Sequence, residues 1–218
     1  LMLEEGAREL GPRDQQLVAT ALLGVDQLTS TVDEFLDLAR IEAGQLQLAM
    51  SKVCVATLVA RAVAKASARS EAAGVVVRTR VVGEVPAIDA DAARLDAVLG
   101  NLLDNALKYT PPGGVIEIAV SSMQNAPSTG ADLLQIAVTD SGPGVPAEFR
   151  LRVFDKFFRV EHQRPAAGGE PRGAGIGLYL ARQIVEAHAG TIRCDARPSG
   201  GGASFVIALG AARRVEAA

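Results

Sequence analysis

Val18, Ala21, Val25, Leu28, Val32, Phe35 and Ala39 stand alternately three and four residues apart. That is an a/d seam over three heptads, and it predicts a long helix that needs a partner. The partner is either the helix before it or a second copy completing a four-helix bundle. Residues 1–10 continue the helical register and read as the tail of an earlier helix, so the sequence looks like a piece of something longer. Gly11-Pro12-Arg13 forms a turn, Asp14 is placed to cap the seam helix, and Gly44 to end it in the left-handed conformation.

Beyond Gly44 the pattern changes. Leu46, Leu48 and Met50 alternate with polar residues, which predicts a short strand. Residues 55–73 read as a helix stopped by Gly74, and Val75 to Val82 as a strand. Val85 to Ile88 is extended and runs into Asp89-Ala90-Asp91, where an aspartate can cap a helix over 92–108. Residues 115–122 and 133–139 are strands joined by a polar loop near Asn125 to Gly130. Residues 147–160 are helical or irregular, 162–173 form a Gly-, Pro- and Ala-rich loop, and 177–189 a helix. Residues 191–196 and 203–209 pair around a glycine-rich turn. The order predicts an α+β fold, a mixed sheet covered on one face by helices and preceded by a helical hairpin segment. The boundary falls between 1–44 and 45–218.

Composition changes this picture mainly by exclusion. The chain has 218 residues, a net charge of -3, no tryptophan, two tyrosines and six phenylalanines. Scattered basic residues and few aromatics argue against nucleic acid as a partner. Cys54 and Cys194 fit no metal spacing. They read as buried thiols in a reducing, cytoplasmic compartment, which leaves room for a parent protein anchored in the inner membrane. No run is apolar and long enough to span a bilayer: the most apolar helix, near Val53 to Ala68, is interrupted by Arg61 and Lys65.

Chemistry concentrates on four stretches. On the helix 92–108, Leu99, Leu102, Leu103, Ala106 and Leu107 make an apolar stripe. Asn101, Asn105 and Lys108 share another face, offering two amide oxygens for a hard cation and an ammonium for phosphate. Asp140-Ser141-Gly142-Pro143-Gly144 follows a strand directly. A carboxylate there can accept from an exocyclic amine while two glycines let a flat ring approach the backbone, although Asp-Ser-Gly is also ordinary turn chemistry. Gly173-Ala174-Gly175-Ile176-Gly177-Leu178 opens a helix with exposed N–H groups suited to phosphate. It follows a loop and carries no Gly-Lys-Ser/Thr, so it is neither a dinucleotide fingerprint nor a Walker loop. Between these lie Phe154, Phe157 and Phe158, spaced to bury and anchor the base of a loop, with Arg159 able to reach a terminal phosphate.

Taken in order, Asn-x-x-x-Asn-x-x-Lys-Tyr, Asp-x-Gly-x-Gly, Phe-x-x-Phe-Phe-Arg and Gly-x-Gly-x-Gly-Leu resemble the ATP-binding domain of sensor histidine kinases. That group sits in a superfamily with type II topoisomerase ATPases, large heat-shock chaperones and mismatch-repair ATPases. The resemblance covers residues 45–210, and Phe35 to Gly44 resembles the end of the family's dimerisation hairpin.

The resemblance implies that Asp140 contacts the adenine amine, Gly142 and Gly144 shape the adenine side, and Tyr109 lines the pocket. It implies that Asn105, assisted by Asn101, ligates Mg²⁺, and that Lys108 and Arg159 contact phosphates. Gly173, Gly175, Gly177 and Leu178 belong to the hinge that meets the phosphates, and Gly200-Gly201-Gly202 matches a third glycine patch. ATPase relatives carry a water-activating glutamate where this chain has Asn101, and an amide cannot take that proton. The implied activity is transfer of the ATP γ-phosphoryl group to a histidine of the dimerisation hairpin and then to a response regulator aspartate.

The implied partners are ATP, the cognate response regulator and the chain's own hairpin, as a homodimer in the full-length parent. The sequence holds only His162 and His188. His162 falls in the expected loop and His188 at a helix end, where it caps or packs. The acceptor is therefore expected upstream of Leu1, which would leave this stretch inactive in autophosphorylation. The competing reading is a nucleotide-binding, dimerising scaffold without kinase activity.

Overall fold

The computed structural model describes residues 11–123, 132–160, 174–197 and 200–210. The chain divides into two compact units, Leu1–Gln45 and Leu46–Ala218. The expected tail at 1–10, the loop near Asn125 to Gly130, and His162 with the rest of 162–173 lie outside the described residues.

The first unit is built on α1 (Pro12–Glu42). Its start corrects the capping expectation: Gly11 is the N-cap and Asp14 sits in the first turn. Proline at the first helical position explains the shift, since its fixed φ suits helix entry and its missing N–H would be unpaired there anyway. Gly44, at φ +66, ends the helix as expected. Along the seam Val25, Leu28, Val32 and Phe35 are exposed, Leu28 at 66%.

The second unit contains β1 (Ser51–Val53), α2 (Val55–Ala73), β2 (Val76–Val82), β3 (Ile88–Ala90) and α3 (Ala92–Tyr109). It continues with β4 (Val115–Met123), β5 (Leu133–Asp140), α4 (Gly177–Ala187), β6 (Thr191–Ala196) and β7 (Ala203–Gly210). Residues Leu46 to Met50 are not a strand. β1 begins at Ser51 because its antiparallel partner β3 offers only Ile88 to Ala90. The main sheet runs β2-β4-β5-β7-β6, with β2 parallel to β4 and every other pair antiparallel.

Strand alternation puts Ile116, Ile118 and Val120, then Leu134, Ile136 and Val138, then Phe205, Ile207 and Leu209 on one face. These residues are buried in one core with the helices. α3 supplies Leu95, Val98, Leu99, Leu102, Leu103 and Ala106 to it. Its start is fixed by Asp91, which accepts from Ala93 N–H and Arg94 N–H at 3.0 Å each and from Ala49 N–H at 2.9 Å. Arg61 and Lys65 of α2 pair with Asp96, and Arg69 pairs with Asp104.

α4 is tied to α3 near both ends. Asn101 Nδ2 donates to Gly177 O at 3.2 Å. At the other end His188 Nε2 accepts from Asp91 N–H at 3.0 Å while its Nδ1 lies 2.8 Å from Ile184 O. With Nε2 accepting, the ring proton sits on Nδ1 and is given to Ile184 O. His188 is thus a capping and packing residue, as the sequence indicated.

No described helix is long and apolar enough to cross a membrane. The two thiols differ: Cys194 is buried as expected, but Cys54 is exposed, because it is the residue just before α2 rather than part of its apolar face.

Candidate functional site

Asp140 continues the Leu134, Ile136, Val138 alternation, so its carboxylate occupies a place where the pattern would put a core side chain. It is 5% exposed. Oδ1 accepts from Gly142 N–H at 2.8 Å and from Ala203 N–H at 3.3 Å. Burial pushes its carboxyl above the usual range; the Gly142 and Ala203 amides and the Arg197 guanidinium offset part of that push. A fixed, buried carboxylate with one oxygen engaged is an oriented acceptor for a polar hydrogen.

The glycines around Asp140 are there because backbone needs the space. A Cβ on Gly142 would stand 2.7 Å from Tyr109 O and 3.0 Å from Asp140 Oδ1. One on Gly202 would stand 2.0 Å from Asp140 O, and one on Gly144 2.5 Å from Gly202 O. Both Gly144 and Gly202 also have positive φ. The result is a place where the backbones of the Asp140 loop, the end of α3 and the β6–β7 turn meet closely.

A second cluster lies on the same helix end. Lys108 and Tyr109 are half-buried, and Lys108 Nζ is 5.1 Å from the Tyr109 ring centroid. Burial, and next the Arg159 charge, lower the Lys108 pKa; burial raises the Tyr109 phenol while Arg159 acts against it. The Arg159 charge is thus close enough to disfavour the charged form of Lys108, which concentrates positive charge at this helix end.

The third cluster is Asn101 with the start of α4. A Cβ on Gly177 would lie 3.4 Å from Asn101 Cγ. With Nδ2 given to Gly177 O, the Asn101 Oδ1 is the atom left to accept or ligate. Asn105 is half-buried one turn further along. Leu178 packs on the core and Ile176 is fully buried, which fixes the first turn of α4. Among the described residues no group of three His, Cys, Asp or Glu could hold a metal.

Gly175, at φ +72, receives Phe157 N–H on its carbonyl at 2.9 Å. Phe154 is buried edge-on to Phe205, and Phe158 packs on Phe149. Phe157 corrects the expectation that all three rings bury: it is 55% exposed, with φ +63. The chain reverses there to reach Gly175, which turns that ring outward. Gly173 lies outside the described residues.

The structure therefore brings Gly142 to Asp140 and to the Tyr109 backbone, Gly144 to Gly202, Lys108 within reach of the Arg159 charge, and Asn101 to Gly177. The sequence reading missed the Ala203 amide and Arg197. A backbone N–H leaves no trace in residue type, and a single arginine after a strand carries no spacing signal. Gly202 was visible only as part of an unspecific glycine patch.

Residues 90–213 match the family described as histidine kinase-, DNA gyrase B-, and HSP90-like ATPase. The sensor protein DivL of Caulobacter vibrioides is 30% identical over 207 residues, covering 95% of this chain and 25% of DivL. The sensor-like histidine kinase SenX3 of Mycobacterium tuberculosis is 33% identical over 188 residues, 86% of this chain and 43% of SenX3. Full-length ShkA, solved in complex with AMPPNP, superposes with a TM-score of 0.74 at 26% identity, covering 94% of this chain and 40% of ShkA. The chain thus spans less than half the length of these relatives. It belongs to the histidine kinase-, DNA gyrase B- and HSP90-like ATPase family, and its place in it is among the ATP-binding domains of sensor histidine kinases.

Proposed function

We propose that residues 45–218 bind Mg·ATP and present its γ-phosphoryl group to a histidine on a dimerisation hairpin, whose second helix is α1, for onward transfer to a response regulator aspartate. The observation that supports this reading is that α3 ends in Lys108 and Tyr109, with the Gly142 loop of the buried acceptor Asp140 against the Tyr109 backbone and Lys108 Nζ 5.1 Å from the Tyr109 ring centroid. Asp140 Oδ2 receives the adenine amine. Gly142 and Gly144 admit the flat ring, and Tyr109 lines its pocket. Lys108 and Arg159 hold the phosphates, together with the amides at the start of α4 around Gly175, Gly177 and Leu178.

The Asn105 and Asn101 amide oxygens fit Mg²⁺, a hard cation that keeps waters and shares phosphate oxygens instead of needing a cage of carboxylates. Bound there, the ion would neutralise phosphate charge. Neither amide can deprotonate water, so the site is suited to handing the phosphoryl group to another acceptor instead of hydrolysing ATP.

His188 does not serve as that acceptor, since both ring nitrogens are engaged inside the fold. In this reading the acceptor is a hairpin histidine other than His188. The same observation is what favours the second reading, a nucleotide-binding scaffold without transfer.

The test supplies a separate hairpin bearing an acceptor histidine and follows labelled γ-phosphate from Mg·ATP. The parent chain is expected to label the hairpin, Asn105→Ala to lose most labelling and metal-dependent affinity, and Lys108→Ala to weaken binding of ATP more than of adenosine. Nucleotide binding without any labelling would select the scaffold. Undiminished Mg·ATP affinity in Asn105→Ala would remove the metal assignment.

A further inference from the structure

β2 is an edge of the main sheet, with β4 on one side only. Val76 N–H donates to Gly114 O at 3.0 Å, so Val76 turns its backbone groups toward β4. Backbone groups alternate along a strand. Arg78, Arg80 and Val82 therefore face β4 as well, while Val77, Thr79 and Val81 turn their N–H and C=O groups outward. Among the described residues none of these outward groups has a hydrogen-bond partner. The strand is exposed along nearly its whole length, Val81 at 52%.

The two faces of this edge differ. On the helix-covered face Thr79 and Val81, with Ala56, Val59 and Ala60 of α2 and Ile118 of β4, line a crevice of about 60 Å³. Ala56 and Ala60 are exposed, so α2 leaves the approach to the crevice uncharged and open. The opposite face carries Arg78 and Arg80. Arg80 pairs with Glu117 at 3.4 Å, and Glu117 is also the residue level with Arg78 in the β2–β4 register. One carboxylate beside two guanidinium groups leaves this stretch of edge net positive.

We propose that β2 accepts one further strand from another protein, an extended segment in which acidic residues alternate with apolar ones. Its backbone takes up the outward N–H and C=O groups of Val77, Thr79 and Val81. Its acidic side chains stand opposite Arg78 and Arg80, and the apolar side chain between them enters the crevice. A second copy of this chain is a poor occupant. Two β2 strands paired antiparallel in one sheet set Arg78 against itself, Arg78 against Arg80, or Arg80 against itself in every register that joins more than half of the strand. The arginines thus guard the edge against self-pairing and select for the opposite charge.

The experiment adds fluorescent peptides to the full chain, follows their anisotropy, and reads amide hydrogen exchange of the chain by NMR. The probe is a capped peptide with the core Val-Glu-Val-Glu-Val, and Val-Lys-Val-Lys-Val is its control. The acidic peptide is expected to saturate and to protect the Val77, Thr79 and Val81 amides. Arg78→Glu combined with Arg80→Glu should lose about tenfold in affinity for the acidic peptide and prefer the basic one. Thr79→Pro deletes an outward N–H and none that faces β4, so the folded variant should also bind the acidic peptide more weakly. Equal binding of the two peptides, no binding below about 1 mM, protection elsewhere than at β2, or unchanged affinity in the charge-reversed variant would overturn the proposal. Protection of the same three amides on concentrating the chain alone, with a matching rise in mass by sedimentation, would give the edge to a second copy and overturn it as well.

Discussion

Asp140→Asn separates what the carboxylate does for the fold from what it does for a ligand. Both structural hydrogen bonds, from Gly142 and Ala203 N–H, end on Oδ1. An asparagine keeps that acceptor and replaces only Oδ2 with an NH₂ group, which turns a donor toward the adenine amine. A lost hydrogen bond to a charged group and a donor left unpaired together cost about 3 kcal/mol. That corresponds to about a hundredfold in the Kd for Mg·ADP.

The effect on unliganded stability has the opposite sign. The folded Asp140 carboxyl is raised by burial, so its contribution to stability is present below the unfolded carboxylate pKa and lost as pH rises through the folded one. Asparagine has no such loss. The variant should match the parent near about pH 4 and exceed it in unfolding midpoint near about pH 8. Calorimetric titration gives the first quantity and thermal unfolding at the two pH values the second. A variant that binds Mg·ADP within about threefold of the parent, or that is less stable at the higher pH, would refute the reasoning.

Gly202→Ala should be the most disruptive glycine substitution near the pocket. Its Cβ would stand 2.0 Å from Asp140 O at φ +99, and about 3 kcal/mol or more of stability should be lost in denaturant titration. Gly201→Ala, at φ +59 with open space around it, should lose about 1 kcal/mol. Asp91→Ala removes the acceptor of three backbone N–H groups and should cost about 2 kcal/mol by the same assay. A thiol reagent at neutral pH should label Cys54 rapidly in the folded chain and Cys194 only on unfolding, since Cys54 is exposed and its pKa is lowered by the hydroxyl and amide of Thr57. Mass spectrometry of the labelled peptides reads the difference.

The sequence revealed most where a period repeats. β5 was expected over 133–139 with Asp140 directly after it; the strand includes Asp140, in phase with Leu134, Ile136 and Val138. The α3 stripe and the Asp91 cap were legible for the same reason: both rest on local spacing. Leu46, Leu48 and Met50 alternate too, yet form no strand, because strand formation depends on the reach of a partner and β3 is short. Phe157 has the spacing of a buried ring but is turned outward by a chain reversal that depends on Gly175, eighteen positions later. The Ala203 amide reaches Asp140, and the Arg197 stem reaches Gly202, only because β6 and β7 pair beside β5, a relation that no local pattern encodes. Local spacing was thus readable in the sequence, while the surroundings of Asp140 were set by long-range backbone contacts.

The hydrogen bond from Phe157 to Gly175 brings two distant points of the chain together at a single crossing. The described backbone on the two sides of residues 161–173 is therefore held together at one place. Because loop closure depends only logarithmically on length, residues can be inserted or deleted there with little effect on the sheet or its helices.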